Sequence, residues 1–395
     1  MSEVLRLGIA GLGVASTQIL PPIAKLPFVK ITAAADIRSD ALTKFRQVYN
    51  GDTFTRVEAM CASPNVDAVY IATPNPLHAE HALIAAQHKK HIIVEKPMAM
   101  KLAECDAMNK AAEKNSIKLL CGHTHSFDPP IRKIREIVTS GELGKLRMIH
   151  TWNYNEFMYR PRMKHELAMS RGVVLNQGPH HVDVVRLLGG GMVRSVRAMT
   201  GIWDMARGHE GSYTCYLEFE DGTPATLVYS GYGFFDTAEL FDWVGEGGQR
   251  RDPETNVKVR RRFREVKSVE EEELLKEEMR FGGAREGAYS HVWSGERKQP
   301  FFGFTVVSCE RGDIRQTPDG LRVYGEGERR DILLPVGSRG REAEVEELYN
   351  AVVHSRPVFH DGRWGAATLE VCLAMLESAE RRQEIFLSHQ VPSPE

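Results

Sequence analysis

Lys96 ends the apolar run His91–Glu95 and is followed at once by Pro97. Its ammonium therefore stands at the carboxyl edge of a strand, the edge at which open α/β sheets bind ligands. A lysine there can hold a substrate hydroxyl and stabilise the alkoxide that develops as a hydride departs. Burial beside a cation would also lower its pKa towards the range of a general base. The plainer reading is a lysine paired with Glu95. A second stretch, Gly172-Val173-Val174-Leu175-Asn176-Gln177-Gly178-Pro179-His180-His181-Val182-Asp183, holds another candidate. Proline is tolerated only in the first turn of a helix, so a helix starts near Pro179. Asn176 and His180 are four apart and His180 and Asp183 three, so all three share one side if helical turns continue. A histidine titrates near neutrality and can take a hydroxyl proton. His181 is rotated by about 100° from His180 and reads as a core histidine.

A departing hydride needs an acceptor. Gly8-Ile9-Ala10-Gly11-Leu12-Gly13-Val14-Ala15-Ser16 follows one apolar run and precedes a helical pattern. Gly11 permits the tight turn, and Gly13 lets backbone N–H groups approach a pyrophosphate at a helix N-terminus. The third position is Ser16, small enough for close helix–strand packing but tighter than glycine. Asp36 ends the next apolar run, some twenty residues on, where a carboxylate accepts hydrogen bonds from ribose hydroxyls. A carboxylate there repels a 2′-phosphate, so NAD is expected rather than NADP. Arg38 leaves NADP open, because a guanidinium can pair with that phosphate; a turn or N-cap role is the plainer reading of Asp36.

The elements around these residues alternate. Strand-like runs at Leu5–Ala10, Val29–Ala35, Asp67–Ala72, His91–Glu95 and Lys118–Gly122 are separated by helical patterns to about Leu26, at Arg38–Tyr49, His78–Lys90 and Leu102–Lys114. Such alternation predicts an α/β Rossmann domain, residues 1–122, with a doubly wound parallel sheet. After Gly122 the pattern changes. Helical segments at Pro130–Ser140 and His180–Leu188 are mixed with strand-like runs at Met148–Asn153, Val193–Thr200, Ser212–Phe219 and Ala225–Ser230. This predicts an α+β domain over 123–395, with a large open, mainly antiparallel sheet and helices on one face. Residues 245–300 include a basic run (Arg260, Arg261, Arg262, Arg264, Lys267) and an acidic one (Glu270 to Glu273, Glu277, Glu278), read as a solvated surface insertion with partly compensating charges. Glu342–Ser355 and Trp364–Glu384 are predicted as closing amphipathic helices.

Composition narrows the function. The 53 acidic and 51 basic residues nearly cancel, which gives no general attraction to nucleic acid or anionic lipid. No stretch is long and apolar enough to span a bilayer, and the N-terminus lacks the layout of a signal peptide. The six cysteines are scattered without a C-x-x-C pair, so no metal site is expected and free thiols in the cytoplasm are the reading.

Together the glycine turn, Ile71-Ala72-Thr73-Pro74-Asn75-Pro76-Leu77-His78, Glu95-Lys96-Pro97, Ser126-Phe127-Asp128-Pro129, Ser140-Gly141-Glu142-Leu143-Gly144-Lys145 and Gly172 to Asp183 resemble the Gfo/Idh/MocA oxidoreductase family. The resemblance weakens over about 245–300. It implies a catalytic role for Lys96 and an acid/base role for His180. Asn176 stands where several members carry Asp; an amide can orient a hydroxyl but cannot act as a base. Expected cofactor contacts are Gly11, Leu12, Gly13, Val14, Ala15, Asp36, Ile37, Arg38, Thr73, Pro74, Asn75, His78, Glu95 and Lys96. The cations Arg160, Arg162, Lys164 and Arg171 crowd the approach to His180, and guanidinium forks bind carboxylates in bidentate fashion. A solvated basic loop is the competing reading. With Asn176 and His125 these cations form the expected substrate set. Here the chain looks like the branch that oxidises the cis-4,5-dihydrodiol of phthalate to 4,5-dihydroxyphthalate, so a dicarboxylate cyclic diol is the expected substrate. The rivals are a sugar or inositol dehydrogenase, an NAD-dependent glycosidase and a non-catalytic nucleotide sensor. An open sheet with one uncovered face calls for a homodimer or homotetramer.

Overall fold

A computed structural model describes residues 4–163, 165–286, 296–336 and 340–393. Two compact units emerge, and neither is one continuous stretch. The first holds the described residues of Met1–His123, Glu272–Val292 and Arg341–Leu369; the second holds those of Thr124–Glu271, Trp293–Gly340 and Glu370–Glu395.

In the first unit, β1 (Leu5–Ala10), β2 (Val29–Ala35), β3 (Asp52–Phe54), β4 (Ala68–Ile71), β5 (His91–Glu95) and β6 (Leu119–Gly122) form a parallel sheet in the order β3-β2-β1-β4-β5-β6. The order reverses beside β1, and the carboxyl ends of β1 and β4 flank that switch point. Helices α1 (Val14–Ile23), α2 (Ser39–Tyr49), α3 (Val57–Cys61), α4 (His78–Gln87) and α5 (Leu102–Lys114) connect the strands. Strands β4 and β6 are buried along their whole length, as expected of a sheet covered on both faces. The core joins Leu7, Ile9, Leu20 and Phe45 to Val345 and Leu348 from a helix far along the chain.

The second unit contains α6 (Pro129–Ser140), β7 (Leu146–Tyr154), α7 (Glu166–Met169), α8 (Gly178–Gly189), β8 (Val193–Gly201), β9 (Ser212–Phe219), β10 (Pro224–Ser230) and α9 (Thr255–Glu265). Helix α10 (Val269–Glu278) follows. Strands β11 (Phe304–Cys309), β12 (Gly312–Thr317), β13 (Gly320–Gly325) and β14 (Arg329–Leu333) come next. Helix α11 (Gly340–Val353) belongs almost wholly to the first unit; α12 (Gly362–Arg381) and the short β15 (Ile385–Phe386) complete the elements. The nine strands run β14-β13-β12-β11-β7-β10-β9-β8-β15, antiparallel except for the parallel β7–β10 pair. The first unit is thus the predicted Rossmann fold and the second the predicted, mostly antiparallel sheet.

Alternation along β7 divides the two faces. Ile149, Thr151 and Asn153 are buried towards α8, where His181 Nε2 lies 2.8 Å from Thr151 Oγ1. On the other face Met148, Trp152, Met199, Tyr216 and Tyr324 are partly exposed. No helix among the described residues is long and apolar enough to cross a membrane.

Candidate active site

The glycine turn lies directly between β1 and α1. Gly11 has φ +91°, and a Cβ there would come within 2.7 Å of the Ala72 carbonyl oxygen, so only glycine fits. Gly13 is the N-cap residue of α1, and a Cβ on it would meet no protein atom within 4 Å. No internal packing demands glycine at 13; the open space in front of the helix N-terminus is what a closely approaching ligand needs. Ser16, at the third position, donates its hydroxyl to the Gly11 carbonyl at 2.6 Å and so fastens the turn from inside. Asp36 accepts the Leu12 N–H at 2.7 Å and the Arg38 N–H at 2.8 Å. Arg38 donates to the Leu12 carbonyl at 2.6 Å. Ile37, between them, is 92 % exposed. The open cradle before the N-terminus of α1 fits a dinucleotide.

Lys96 follows β5 and is half-buried, with the Lys96–Pro97 peptide cis. Two supports converge on this loop. The buried His78 ring has Nδ1 2.9 Å from the Pro97 carbonyl and Nε2 2.8 Å from the Thr73 carbonyl, so it stands between the loop after β4 and the loop after β5 and, when neutral, donates its single N–H to one of the two. Burial holds its pKa below the usual histidine value, against the pull of those two carbonyls. Thr73 Oγ1 in turn sits 3.0 Å from His81 Nδ1.

The second support is a buried ionic cluster. Glu95 Oε2 accepts the Lys96 backbone N–H at 3.3 Å, while Glu95 Oε1 pairs with Arg341 of α11 and lies 3.2 Å from the Tyr70 hydroxyl. That hydroxyl is also 2.9 Å from Glu344 Oε2 and 2.6 Å from Arg341 Nη1. A phenol has one hydrogen and two lone pairs. It accepts from Arg341 and donates to one carboxylate, so its contact with the other carboxyl is a hydrogen bond only if that carboxyl carries a proton. Burial assigns the proton to Glu344, which has no exposed surface and is pushed up to about 7, with Arg341 opposing the rise.

In the second unit, His180 opens α8 and is 7 % exposed. The His125 ring meets it edge-on, with centroids 4.9 Å apart, and stacks on Phe302 at 4.4 Å. His125 Nδ1 lies 3.0 Å from Asp128 Oδ2, a carboxyl whose pKa burial raises against the lowering effect of His125. Asn176 lies just before α8 and its side-chain carbonyl accepts from Gln177 Nε2 at 2.8 Å. His181 is a core residue: it contacts Thr151 and Tyr213, has no exposed surface, and is held neutral by burial with its pKa down at about 3.

The basic loop is less free than its sequence implies. Arg171, at φ +45°, donates Nη2 to Glu210 at 2.7 Å and Nε to the same oxygen at 3.2 Å. Arg160 Nε donates to Glu156 Oε1 at 2.9 Å, and Arg251 pairs with the other oxygen of Glu156. Arg162 lies 3.9 Å from the centroid of the Phe157 ring. Lys164 lies outside the described residues. A separate cavity of about 500 Å³ is lined by Arg6, Asp67, Lys90 and His91, at the amino ends of the strands; neither Gly11 nor Lys96 lines it.

Comparison with known proteins agrees with this geometry. Residues 5–123 match the oxidoreductase family with an NAD-binding Rossmann fold, and residues 131–249 match the GFO/IDH/MocA C-terminal domain. The 1-carboxy-3-chloro-3,4-dihydroxycyclohexa-1,5-diene dehydrogenase of Comamonas testosteroni is 36 % identical over 389 residues, covering 95 % of each chain. The chain belongs to the Gfo/Idh/MocA oxidoreductase family. A crystallised protein from Bordetella bronchiseptica RB50 shares this family member's fold with a TM-score of 0.90 and 36 % identity, over 97 % of this chain and 100 % of the other. The myo-inositol 2-dehydrogenase of Thermotoga maritima is a more distant relative, 27 % identical over 61 % of this chain and 74 % of its own. The protein is therefore a dehydrogenase-type oxidoreductase of the Gfo/Idh/MocA family whose first unit is an NAD-binding Rossmann domain.

Tyr70, Arg341 and Glu344 have no local signature as a cluster, because the contacts that join β4 and β5 to α11 span more than two hundred positions. The protonated Glu344 carboxyl has a measurable consequence. Its pKa in the folded chain lies above its unfolded value, so its stabilising effect is complete below about pH 4.5 and is lost as pH rises towards 7. The loss is on the order of 2–3 kcal/mol. Glu344→Gln imitates the protonated form. The melting temperature of this variant relative to the parent is expected to rise by several degrees between pH 5 and pH 8 in calorimetry. A flat or falling difference would show that Glu344 is ionised in the fold.

Proposed function

We propose that the protein oxidises a carboxylated cyclohexadiene cis-diol with NAD, the 4,5-dihydrodiol of phthalate being the substrate that best matches its residues, to give the rearomatised catechol. The carrying observation is the surround of His180. His125 stacks on Phe302, itself only 4 % exposed, and both rings pack against His180, so aromatic surroundings frame this imidazole. They suit an unsaturated ring better than a polyol, whose several hydroxyls each need a partner. The Comamonas relative's named substrate, a carboxylated, dihydroxylated cyclohexadiene, supports the same reading.

Bound NAD supplies the hydride acceptor. In this reading Lys96 and His180 act on one hydroxyl: the Lys96 ammonium holds its oxygen and stabilises the developing alkoxide, while His180 takes the proton. His125, oriented by Asp128, backs His180. Asn176 orients the second hydroxyl. Substrate and NAD⁺ then become ring catechol, NADH and one proton, with aromatisation supplying driving force. Arg160 and Arg162 receive the ring carboxylates, with Arg171 beside them; Arg160 is oriented by Glu156 and Arg171 by Glu210. A second copy of the chain covers the exposed sheet face bearing Trp152 and Tyr216, because the same rows of apolar residues can pair about a two-fold axis.

Lys96→Met should lower kcat/KM by on the order of a hundredfold or more, with an unchanged melting temperature, in an assay following NADH. His180→Asn should also abolish the limb of the pH–rate profile set by an imidazole. Wild-type-like turnover in either variant removes that residue from the chemistry.

Arg160→Met and Arg162→Met should each raise KM for a dicarboxylate diol by on the order of tenfold and leave a carboxylate-free diol unaffected. Equal effects on both substrates, or none on either, would sink the carboxylate assignment; preferred turnover of inositol would favour the cyclitol alternative.

A further inference from the structure

Phe281 lies in the interval that reads as a solvated insertion, yet it belongs to the parallel-sheet unit and is 3 % exposed. Its ring joins the core cluster that contains Leu12, Ala41 and Phe45, with the Tyr49 ring 6.4 Å away. The Phe281 N–H donates to the Gly13 carbonyl at 3.4 Å, and its own carbonyl accepts from Arg38 Nη2 at 3.3 Å. The same Nη2 donates to the Leu12 carbonyl at 2.6 Å, while Arg38 Nε stands 3.4 Å from Asp36 Oδ1. Glu286 completes the clamp: it pairs with Lys44 on α2 and accepts the Gly282 N–H at 2.9 Å. Gly282, at φ +88°, is itself packed against α2, since a Cβ there would lie 3.5 Å from the Ala41 Cα.

These contacts bear on the one ambiguity in the dinucleotide site. Two residues past Asp36, Arg38 is the cation that could compensate a 2′-phosphate. Here its guanidinium is turned onto two main-chain carbonyls and the Asp36 carboxylate. The hydrogen bond that the Phe281 N–H donates and the one that its carbonyl accepts are both long, so the hold depends mainly on burial of its ring.

We propose that Phe281 is a specificity-determining residue for the cofactor: seated in the Rossmann core, it keeps Arg38 folded against Leu12 and away from a 2′-phosphate, so that the segment Met279–Glu286 makes the domain select NAD over NADP. The proposal rests on the assignment of the glycine turn as the dinucleotide site. It gives the insertion a task that no surface loop has: it supplies a wall to the nucleotide-binding unit from a segment more than two hundred residues downstream.

Calorimetric titration of the full chain with NAD and with NADP tests it, using the wild type, Phe281→Ala, Arg38→Ala and the double variant. Phe281→Ala should lower the ratio of the NADP Kd to the NAD Kd by on the order of tenfold, since release of one guanidinium to a phosphate is an interaction of that size. In the Arg38→Ala background the same change should leave the ratio untouched. A ratio unchanged by Phe281→Ala, parallel weakening of both cofactors, or an equal shift without Arg38 would overturn the proposal. Should Phe281→Ala not fold, Glu286→Gln loosens the clamp without opening the core and should move the ratio the same way by about twofold to threefold; no movement overturns the proposal equally. A wild type that binds neither dinucleotide would overturn the cofactor assignment instead.

Discussion

One buried charge cluster determines how the first unit is built. Glu95 ends β5 with its carboxylate in the interior, and an ionised carboxylate there is tolerable only with a cation and hydrogen-bond donors around it. Arg341 supplies the cation and Tyr70 a donor, and Glu344 closes the cluster with its own carboxyl. Both Arg341 and Glu344 ride on α11, so this helix must belong to the Rossmann unit even though eight of the nine strands of the second sheet intervene along the chain. Apolar packing of Val345 and Leu348 sets the helix down on the sheet, and the ion cluster fixes its register. The same carboxylate that needs these partners accepts the Lys96 backbone N–H. Rigidity at Lys96 and discontinuity of the unit are two results of one electrostatic requirement.

Adjacent histidines on α8 show how position alone divides structure from chemistry. Both are buried, and a turn of about 100° separates them. His181 faces β7 and β9, where Thr151 and Tyr213 satisfy both ring nitrogens and burial keeps it neutral far below physiological pH. His180 faces His125 and Phe302, with a carboxyl one ring further back. The first anchors the helix on the sheet; the second is thereby held in a fixed direction. In the proposed reaction His180 moves a proton, a task that needs a backbone that does not yield, and its neighbour provides it.

What could be read from sequence was what depends on short spacing. The glycine turn, the strand ending at Lys96 and the start of α8 are local patterns, and all three stand where local rules put them. Helices α9 and α10 went unread because their composition is dominated by charge, which hides the few positions, such as Asn256 and Lys276, that become buried. Strands β11 to β13 largely alternate in burial and are separated by short turns, a signal that the charged stretch before them obscures. Contacts such as Arg341 with Glu95, or Phe281 with Gly13, have no local signature at all. They depend on chain return, which composition and periodicity do not encode.

The basic loop illustrates the same limit in electrostatic terms. Counted along the chain, Arg160, Arg162, Lys164 and Arg171 are four cations. In the fold Glu156 is shared between Arg160 and Arg251; burial acts to raise its pKa, but the two guanidiniums prevail and hold it down at about 2. Asp236 also pairs with Arg251, and Glu210 with Arg171. A carboxylate docked on this loop, as proposed, would meet guanidiniums whose charge is partly compensated but whose orientation is already fixed. Fixed forks lose less entropy on binding than free ones, whereas compensated charge attracts less at a distance. Such a loop favours recognition of carboxylate geometry at contact over long-range capture of any anion. That is the balance the proposed carboxylated ring substrate requires.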